Sequence, residues 1–514
     1  MANVKISNLP AATSPVASTD VIPVVQGGVT KKAAINQLGF LQAGTGAVTR
    51  TAQAKMRETV SVLDFGAVGD GVADDTAAIQ AAFAAVSAND CIYFPPGTYK
   101  VSGINATGKA VTFLGYGATL NCTGATGAIY KTDHGNKLVV DGLSFTGSGT
   151  GVNQTATVQN SSQDELDIIG CSFDMNSGVY GVYINGGRNP RILNCFFRNT
   201  SSGNGIYFKD TVSPFVNLCT FKGSGYVGRG IYYPGTGNGT DAGLIIRDCE
   251  ILGWDKGVEV VGCDWLVIEG STIDYNNQSI KLGSQDRANI SNNYIGSLGA
   301  TAALWITYDA AGTAPAYSEK IFVVNNTFTG HYDGGNTYDC ILLDGTNSPD
   351  NCVIANNSIS FYTRYGVNFS LASTKLEITG NTFAQRTGFG VAPVYNTLGA
   401  TDSGVIINQN LFSNATTISA MNVTAVCRVN ENIGLVTEGR GEAVVGSGIS
   451  TFNVAHGMSY TPTKSDVVLT PSNAESAARN PYINSVDATN INVGFTAATT
   501  ANAGVAWRVR RGPV

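Results

Sequence analysis

A row of aromatic and charged side chains recurs at one position of eight short apolar segments in the middle of this 514-residue chain. The row consists of Tyr183, Tyr207, Tyr232, Glu259, Lys281, Trp305, Leu342 and Asn368. An aliphatic residue precedes each member, and because strand side chains alternate between faces, the row should point away from the core. Aromatic rings pack on the apolar faces of sugars, and a carboxylate binds hydroxyls or moves protons. The pattern therefore predicts a groove for an extended sugar chain.

The row also has a plainer interpretation. Tyrosine is common on strand faces, and Glu259 beside Lys281 is the kind of opposite-charge pair that forms across neighbouring strands. On this interpretation the surface is purely structural. We take the groove as the first hypothesis, because a structural surface leaves the exposed aromatic residues unexplained.

Five charged residues are the candidates for acid, base or nucleophile in glycan cleavage. Glu259 ranks first, since it is central and lies between a tyrosine and Lys281. Asp309 follows two coils later, about 10 Å along the axis, near the upper end of the roughly 6.5–9.5 Å carboxylate separation of inverting glycosidases. Asp210 lies two coils earlier, Asp255 borders the Glu259 strand, and Lys281 would be the base of a lyase. The predicted substrate-binding residues are Tyr183, Tyr207, Tyr232, Trp305, Asp344 and Asn368.

The segments belong to an internal repeat. Stretches such as residues 191–197 and 323–328 share an anchor position, and an apolar residue always falls two places after the anchor. The anchors lie at 143, 171, 195, 219, 249, 271, 293, 326, 357, 381, 410 and 431. Short alternating strands, Gly and Asn turns and a period in the twenties indicate an all-β solenoid. Each of about twelve coils should hold three strands: one before the anchor, one after it, and one after a variable loop.

The anchor residue changes along the chain. Early coils carry Cys171, Cys195, Cys219 and Cys249, which we interpret as small buried hydrophobic residues rather than disulfide partners or metal ligands. Later coils carry Asn293, Asn326, Asn357, Asn381 and Asn410. Stacked asparagines can hydrogen-bond along the solenoid axis and satisfy turn backbone, so their role is predicted to be structural.

The composition excludes several classes of protein. Lys and Arg number 31 against 37 Asp and Glu, without a basic run, which argues against a nucleic-acid partner. No stretch reaches the ~18 apolar residues of a membrane span, and the N-terminus opens no signal peptide. The histidines, His134, His331 and His456, are scattered, and there is no Cys-x-x-Cys pair. Neither a metal site nor a cofactor is therefore predicted.

The two ends of the chain differ from the repeats. An Asp cap followed by Ile79, Phe83 and Val86 at helical spacing predicts a short amphipathic helix that covers the open edge of the first coil. Asp74 and Asp75 are assigned to turn and cap duty rather than to a cation. Beyond Gly434 the repeat stops, and short Thr- and Asn-rich strands predict a small separate β-domain.

Three stretches resemble a known family. Residues 64–80, which begin Asp64-Phe-Gly-Ala-Val-Gly-Asp-Gly, and the motif Phe94-Pro-Pro-Gly-Thr-Tyr99 resemble the entry of pectate-lyase-like right-handed β-helix domains. Residues 1–60 resemble the leader of tailed-phage tail fibres and tailspikes. The stretch from His456 to Trp507 is similar to small β-domains that end such proteins. The resemblance implies a right-handed parallel β-helix.

The resemblance further implies a homotrimeric phage tailspike that recognises, and often cleaves, the surface polysaccharide of a host bacterium. Its parts would be a virion-attachment segment at 1–58, the β-helix at 59–435 with a capping helix at 74–88, and a β-rich domain at 436–514 for trimerisation or accessory glycan binding. The N-terminal segment would bind phage tail or portal-adaptor proteins. The protein would be made in the host cytoplasm and end in the virion, without nucleic-acid binding or membrane insertion.

The catalytic motifs of the family do not carry over. Polygalacturonase-type members carry Asn-Thr-Asp, Asp-Asp, Gly-His-Gly and Arg-x-Lys motifs, and none of these occurs in the repeats here. If the protein is a hydrolase, its acids must therefore come from elsewhere on the outward row or from a neighbouring subunit. A glycoside hydrolase is expected ahead of a polysaccharide lyase, and a non-enzymatic glycan-binding adhesin is the alternative.

Overall fold

The computed structural model describes a chain built almost wholly of short strands. The residues that it describes are 20–35, 38–133, 135–155, 166–175, 180–199, 203–235, 242–299, 301–308, 320–330, 338–345, 351–369, 375–385, 392–396, 404–413, 428–430, 432–433, 438–458 and 461–510.

Three long parallel sheets run side by side through residues 60–430. The first sheet consists of Val60–Ser61, Cys91–Tyr93, Val111–Leu114, Leu138–Asp141, Leu166–Ile169, Arg191–Leu193, Phe215–Asn217, Ile245–Arg247, Leu266–Glu269, Ala288–Ser291, Ile321–Val324, Cys352–Ala355, Leu376–Thr379, Val405–Asn408 and Arg428–Asn430. The second sheet consists of Asp70–Asp74, Gly97–Val101, Ala118–Cys122, Ser144–Gly147, Ser172–Met175, Phe196–Asn199, Thr220–Lys222, Glu250–Leu252, Thr272–Asp274, Tyr294–Ser297, Thr327–Gly330, Ser358–Ser360, Thr382–Ala384 and Leu411–Ser413.

The third sheet carries the predicted outward row. Its strands are Ile104–Asn105, Ile129–Lys131, Val152–Thr155, Tyr180–Arg188, Asn204–Val212, Arg229–Pro234, Lys256–Val261, Gln278–Gly283, Ala302–Tyr308, Asp339–Gly345, Tyr365–Phe369 and Ala392–Asn396. Every strand pairs in parallel with the strand one coil later, as Val182 does with Ile206. The chain is therefore a parallel β-solenoid with three strands per coil, and the twelve strands of the third sheet confirm the predicted number of coils.

Inward side chains form continuous stacks through the interior. The apolar residue two places after each anchor from 143 to 410 is buried, and the rings of Phe173, Phe197 and Phe221 stack with centroids 4.8 and 4.6 Å apart. On the third sheet, the inward residues from Val182 to Val367 are fully buried, as the alternation predicted. The periodic sequence thus yields one continuous apolar core, in which each coil is covered by its neighbours.

Hydrogen bonds between anchor side chains connect the later coils. Asn326 Oδ1 accepts from both the backbone N–H and the Nδ2 of Asn293, each at 3.0 Å, and the same pattern recurs from Asn326 to Asn357 and onward to Asn410. This confirms the predicted asparagine ladder. The ladder ends at Asn432, whose Oδ1 accepts from the backbone N–H of Asn410 at 2.9 Å. The last anchor is therefore residue 432, and the position 431 predicted from the sequence was wrong by one.

The earlier coils use weaker anchor groups. Cys171, Cys195, Cys219 and Cys249 are buried and free of disulfides, as predicted. Ser271 joins the two parts of the ladder, because its Oγ accepts from Cys249 N–H at 3.1 Å and its own N–H donates to Asn293 Oδ1. The anchor series therefore runs from thiol through hydroxyl to amide.

A helix, Thr76–Ala85, lies at the start of the solenoid. Gln80 Oε1 accepts from the backbone N–H of Asn105 at 2.9 Å, and Gln80 Nε2 donates to the Asn105 carbonyl at 3.0 Å. This side-chain amide bonds the exposed edge of the first strand of the third sheet as a neighbouring strand would. The edge therefore offers no unpaired backbone at Asn105 to another chain.

The aspartates beside this helix hold turns. Asp75 accepts from the N–H groups of Val68 and Gly69, and Asp74 accepts from the N–H of Thr76 at 2.9 Å. These contacts agree with the turn duty expected from the sequence, whereas Asp75, the residue at the N-cap position, makes no side-chain capping hydrogen bond to the helix.

Smaller elements flank the solenoid. Val21–Gln26 pairs antiparallel with Val29–Ala34, Gly39–Phe40 pairs with Arg50–Thr51, and a short helix follows at Ala52–Met56. At the other end, Glu438–Val445, Ala503–Arg510 and Val467–Pro471 form one antiparallel sheet. Thr451–Ala455, Asn490–Gly494 and Tyr482–Val486 form a second. Single turns of 3₁₀ helix at Val62–Phe65 and Lys464–Asp466 and a helix at Ala474–Ala478 complete the described elements.

The asparagine ladder can be tested by removing one member. Asn357→Ala leaves the buried N–H and Nδ2 of Asn326 without their shared acceptor, so we expect the free energy of unfolding to fall by about 2–4 kcal/mol. The neighbouring, exposed Ser358→Ala is the control and should change it by less than about 0.5 kcal/mol. Guanidinium unfolding measures both; equal effects of the two substitutions would refute a special role for the ladder.

Candidate functional site

The strand register aligns the outer side chains of the third sheet in a single file, which we call the outer row. The outer row consists of Asn105, Tyr130, Asn153, Tyr183, Tyr207, Tyr232, Glu259, Lys281, Trp305, Leu342, Asn368 and Tyr395. All eight residues that the sequence placed together are consecutive within it. At ~4.8 Å per coil the complete row measures about 53 Å.

A second set of side chains reaches the same face from the first residue of each strand. Tyr180 pairs with Asn204, while Arg229 pairs with Lys256 and Lys256 with Gln278. A glycine follows most of these residues, because the coils approach closely there: a Cβ at position 205 would lie 2.3 Å from the carbonyl oxygen of residue 230. The strands predicted from the sequence begin one residue later, so Arg229, Lys256 and Gln278 were not among the predicted site residues.

Four tyrosines form a cluster at one end of the site. The rings of Tyr183 and Tyr207 stack with centroids 4.7 Å apart, Tyr180 contacts both, and Tyr232 meets Tyr207 edge-on at 5.5 Å. Burial, followed by the neighbouring tyrosines, raises the pKa of Tyr207 to about 12. Burial and the Glu259 carboxylate raise the pKa of Tyr232. Both phenols therefore remain hydrogen-bond donors at every physiological pH.

Glu259 lies at the centre of an ion cluster. Its Oε2 accepts from Arg229 Nε, its Oε1 lies 3.3 Å from Lys281 Nζ, and its side chain is only 7% exposed. Arg229 in turn lies over the Tyr232 ring at 4.3 Å. The Glu259 hydrogen bond raises the pKa of Arg229 against the opposing effect of burial. The sequence predicted a carboxylate that faces the groove beside Lys281. In the structure a second cation, Arg229, also binds this carboxylate, so both of its oxygens are occupied.

The other acidic candidates are dispersed. Asp255 is half exposed and lies 3.2 Å from Lys256 Nζ, with Asn277 Nδ2 at the same distance from its other oxygen. Asp210 is half-buried at a left-handed residue within the strand Asn204–Val212. Asp309 lies outside the described residues. The two longest loops between the predicted strands, 307–320 and 329–339, were expected to form walls of the groove, and most of their residues also lie outside the described ranges.

Toward the other end of the outer row, a tryptophan contacts a lysine and an aspartate. Lys281 lies 5.1 Å from the centroid of the Trp305 ring, and Trp305 Nε1 donates to Asp344 Oδ1. The sequence placed both Trp305 and Asp344 in the substrate-binding set, and the structure brings them into direct contact.

Asn368, the last predicted substrate-binding residue, belongs to a buried polar cluster. Its Nδ2 donates to Asp339 at 2.9 Å, and Arg364 binds the same carboxylate through two nitrogens. Asn368 Oδ1 has no hydrogen-bond partner in the part of the chain that the structure describes. Asp339 and Arg364 were not predicted, since neither follows the alternation by which the outer row was recognised.

The described ranges contain neither a candidate metal site nor a candidate membrane span. They contain no group of three or more His, Cys, Asp or Glu side chains that could hold a metal ion. No helix in them has the length and apolar character needed to cross a membrane.

Comparison with known families identifies the fold. Residues 59–281 match the family "Rhamnogalacturonase A/epimerase, pectate lyase-like", and residues 229–454 match "Right handed beta helix region". The fold is a right-handed parallel β-helix. The predicted fold and its hand are confirmed.

Solved structures with the same fold include phage tailspikes. The tailspike protein gp49 of Pseudomonas phage LKA1 is 13% identical with a TM-score of 0.52, covering 88% of this chain and 100% of that one. A variant tailspike of E. coli bacteriophage HK620, in complex with a pentasaccharide, is 14% identical with a TM-score of 0.54, covering 93% of this chain and 98% of that one. At these identities the likeness concerns the fold alone.

Sequence relatives match only a short part of the chain. The mannuronan C5-epimerase AlgE1 of Azotobacter vinelandii is 60% identical over 45 residues, or 8% of this chain and 3% of that protein. AlgE4 from the same organism is 38% identical over 85 residues, or 16% of this chain and 15% of that protein. The chain therefore spans a small fraction of the length of these relatives.

The ion cluster predicts that loss of the negative charge destabilises the protein more at Glu259 than at Glu250. Glu259→Gln removes the carboxylate that pairs with the largely buried Lys281 and the half-buried Arg229, so we expect the free energy of unfolding to fall by roughly 1–3 kcal/mol. In the control, Glu250→Gln breaks an exposed pair with Lys222 and should cost less than about 0.5 kcal/mol. If chemical denaturation shows no difference between the variants, the cluster has no special energetic role.

Proposed function

We propose that this protein is a phage tailspike that recognises an extended polysaccharide on the surface of a host bacterium. The observation that carries the proposal is the outer row: one face of the β-helix presents aromatic rings and hydrogen-bonding groups in register over twelve coils. The shared fold of solved tailspikes supports it.

The chemistry of the outer row suits a sugar chain. The Trp305 ring and the parts of the Tyr183 and Tyr207 rings left uncovered by their mutual stacking offer apolar surface, while phenol, indole and carboxamide groups hydrogen-bond hydroxyls. The coil spacing of ~4.8 Å is close to the length of one sugar ring, so successive residues of a polymer meet successive coils. Binding requires little rearrangement, because the row is fixed by the sheet.

Cleavage of the bound glycan is the second candidate function. Asp255 stays half exposed beside the strand of Glu259, which favours it as an acid or base. Glu259 itself, paired with two cations, is better suited to fixing Arg229 and Lys281 than to transferring a proton. Asp210, Asp309 and Lys281 remain candidates for a hydrolase or a lyase. With no cleavage at all, the protein would be the non-enzymatic adhesin of the alternative hypothesis.

One experiment separates these functions. Wild type and the variants Tyr207→Ala and Trp305→Ala are titrated against surface polysaccharides purified from a panel of bacteria, and the mixtures are assayed for reducing ends and ultraviolet absorbance. We expect at least one polysaccharide to bind and each variant to lose about tenfold or more in affinity, since ring stacking contributes most of the apolar contact.

The control for that experiment is Tyr294→Ala, a half-exposed tyrosine on the second sheet. Its affinity should equal that of wild type. New reducing ends would establish a hydrolase, ultraviolet gain a lyase, and binding alone an adhesin. Unchanged affinity of the Tyr207 and Trp305 variants would refute the outer row as the binding site.

The remaining parts of the chain are assigned by the same proposal. Residues 1–58 would attach the protein to phage tail or portal-adaptor proteins, and residues 436–514 would serve trimerisation or accessory glycan binding. The protein would be made in the host cytoplasm and would function as part of the virion. The antiparallel pair Val21–Gln26 and Val29–Ala34, which is largely exposed, is the described element available for attachment.

An apolar face of the first sheet supports a homotrimer. In eight consecutive coils, one file of its outer residues consists of Phe215, Ile245, Val267, Asn289, Phe322, Val353, Glu377 and Ile406, six of which are apolar. The corresponding file of the second sheet is mostly Thr, Ser and Glu. A largely apolar file of this kind favours an interface, and three copies around one axis would bury it.

The trimer interface can be tested with two matched substitutions. Phe322 is 43% exposed on the first sheet, and Tyr294 is 41% exposed on the second. We expect Phe322→Lys to convert a trimer into monomers and Tyr294→Lys to leave it intact, because only the former places charge in the largely apolar file. Light scattering after size exclusion gives the masses. A monomeric wild type, or a trimeric Phe322→Lys, would contradict the assignment.

A further inference from the structure

Charges are unevenly balanced at the centre of the outer row. Arg229, Lys256 and Lys281 lie on three consecutive strands of the third sheet. Two carboxylates, Glu259 and Asp255, face these three cations. This small surface therefore has a surplus of one positive charge, although the net charge of the chain is −6.

Neither carboxylate has an oxygen left without a donor. Arg229 and Lys281 occupy the two oxygens of Glu259, and Lys256 and Asn277 occupy those of Asp255. By contrast, Arg229 contacts Glu259 through Nε alone, and no described residue accepts a hydrogen bond from its two terminal nitrogens. The surface thus has unused donors and no matching acceptors.

Gln278 adds a buried donor to this set. It follows Lys256 in the register of the sheet and is 6% exposed, yet its Nε2 has no hydrogen-bond partner among the described residues. An unsatisfied buried amide is unfavourable, so such groups in native proteins usually bond a water, an ion or a ligand. We call Arg229, Lys256, Gln278 and Lys281 the cation patch.

Aromatic rings flank the cation patch along the outer row. Arg229 lies over Tyr232 on one side, and Lys281 lies beside Trp305 on the other. A ligand at the patch therefore meets a ring on each side and only donors in between. A neutral sugar offers hydroxyls that need acceptors as well as donors, whereas an anionic substituent needs donors alone.

We propose that the cation patch is the subsite for an anionic sugar residue, one that bears a carboxylate or a phosphate group. The inference rests on the proposed glycan-binding function and specifies its substrate class. The anion is held by Arg229 and Lys281, whose positions Glu259 fixes, and Lys256 and Gln278 supply further donors. Glu259 is on this account a positioning residue rather than a catalytic one.

The test uses surface polysaccharides from the bacterial panel in three forms: native, carboxyl-reduced, and dephosphorylated with cold hydrofluoric acid. Isothermal titration with wild type should show binding to a native form and a loss of about tenfold or more after one of the two treatments. Loss on carboxyl reduction identifies a carboxylate, and loss on dephosphorylation identifies a phosphate. Affinity for the native form should also fall as salt is raised.

Three variants complete the experiment. Gln278→Leu and Lys256→Gln should each weaken binding of the native form by about five- to tenfold and leave binding of the sensitive treated form unchanged. Lys222→Gln, an exposed lysine on the second sheet, is the matched control and should bind as wild type does. Circular dichroism and thermal unfolding confirm that each variant is folded.

The outcomes distinguish this inference from the function on which it rests. Equal binding of all three polysaccharide forms, or unchanged affinity of Gln278→Leu and Lys256→Gln, would overturn the anionic subsite and leave glycan recognition intact. If wild type binds no preparation in any form, the proposed function itself fails and the subsite with it.

Discussion

The structure depends on one constraint, which is that neighbouring coils must keep the same register. From Cys195 onward anchor side chains help to fix it, with an oxygen or sulfur accepting the backbone N–H of the anchor one coil earlier. Because a buried N–H without an acceptor is costly, any slip in register between coils is penalised at once. The parallel sheets and the stacked core follow from that fixed register.

The same strand register also fixes the positions of the outer side chains. Arg229, Glu259 and Lys281 are far apart in sequence, but the register sets them on neighbouring strands, where they form one ion cluster. A globular protein needs several loops to assemble such a site, whereas here each coil contributes one residue at a fixed spacing of ~4.8 Å. The solenoid is thus suited to a ligand that is itself a repeating polymer, and the three outer faces are free to differ in chemistry.

The sequence predicted those features that depend on periodicity. The anchors, the buried residue two places later and the outer row all follow from a fixed repeat with a two-residue alternation, and the structure has them in those positions. Prediction failed where side-chain reach decides the outcome. Arg229 was not predicted as a site residue, so the burial of Glu259 between Arg229 and Lys281 was not predicted either. The last anchor was misplaced by one residue because Glu431 precedes Asn432, and only the hydrogen bond from Asn410 distinguishes them.

The amide of Gln80 gives the solenoid a direction. With the edge at Asn105 already bonded, the first strand of the third sheet accepts no further strand at that residue, so this sheet is extended from its other edge, toward the C-terminus. Synthesis proceeds in the same direction, and domains fold as their N-terminal parts emerge. Each new strand of the third sheet therefore meets a sheet whose first edge is already bonded at Asn105.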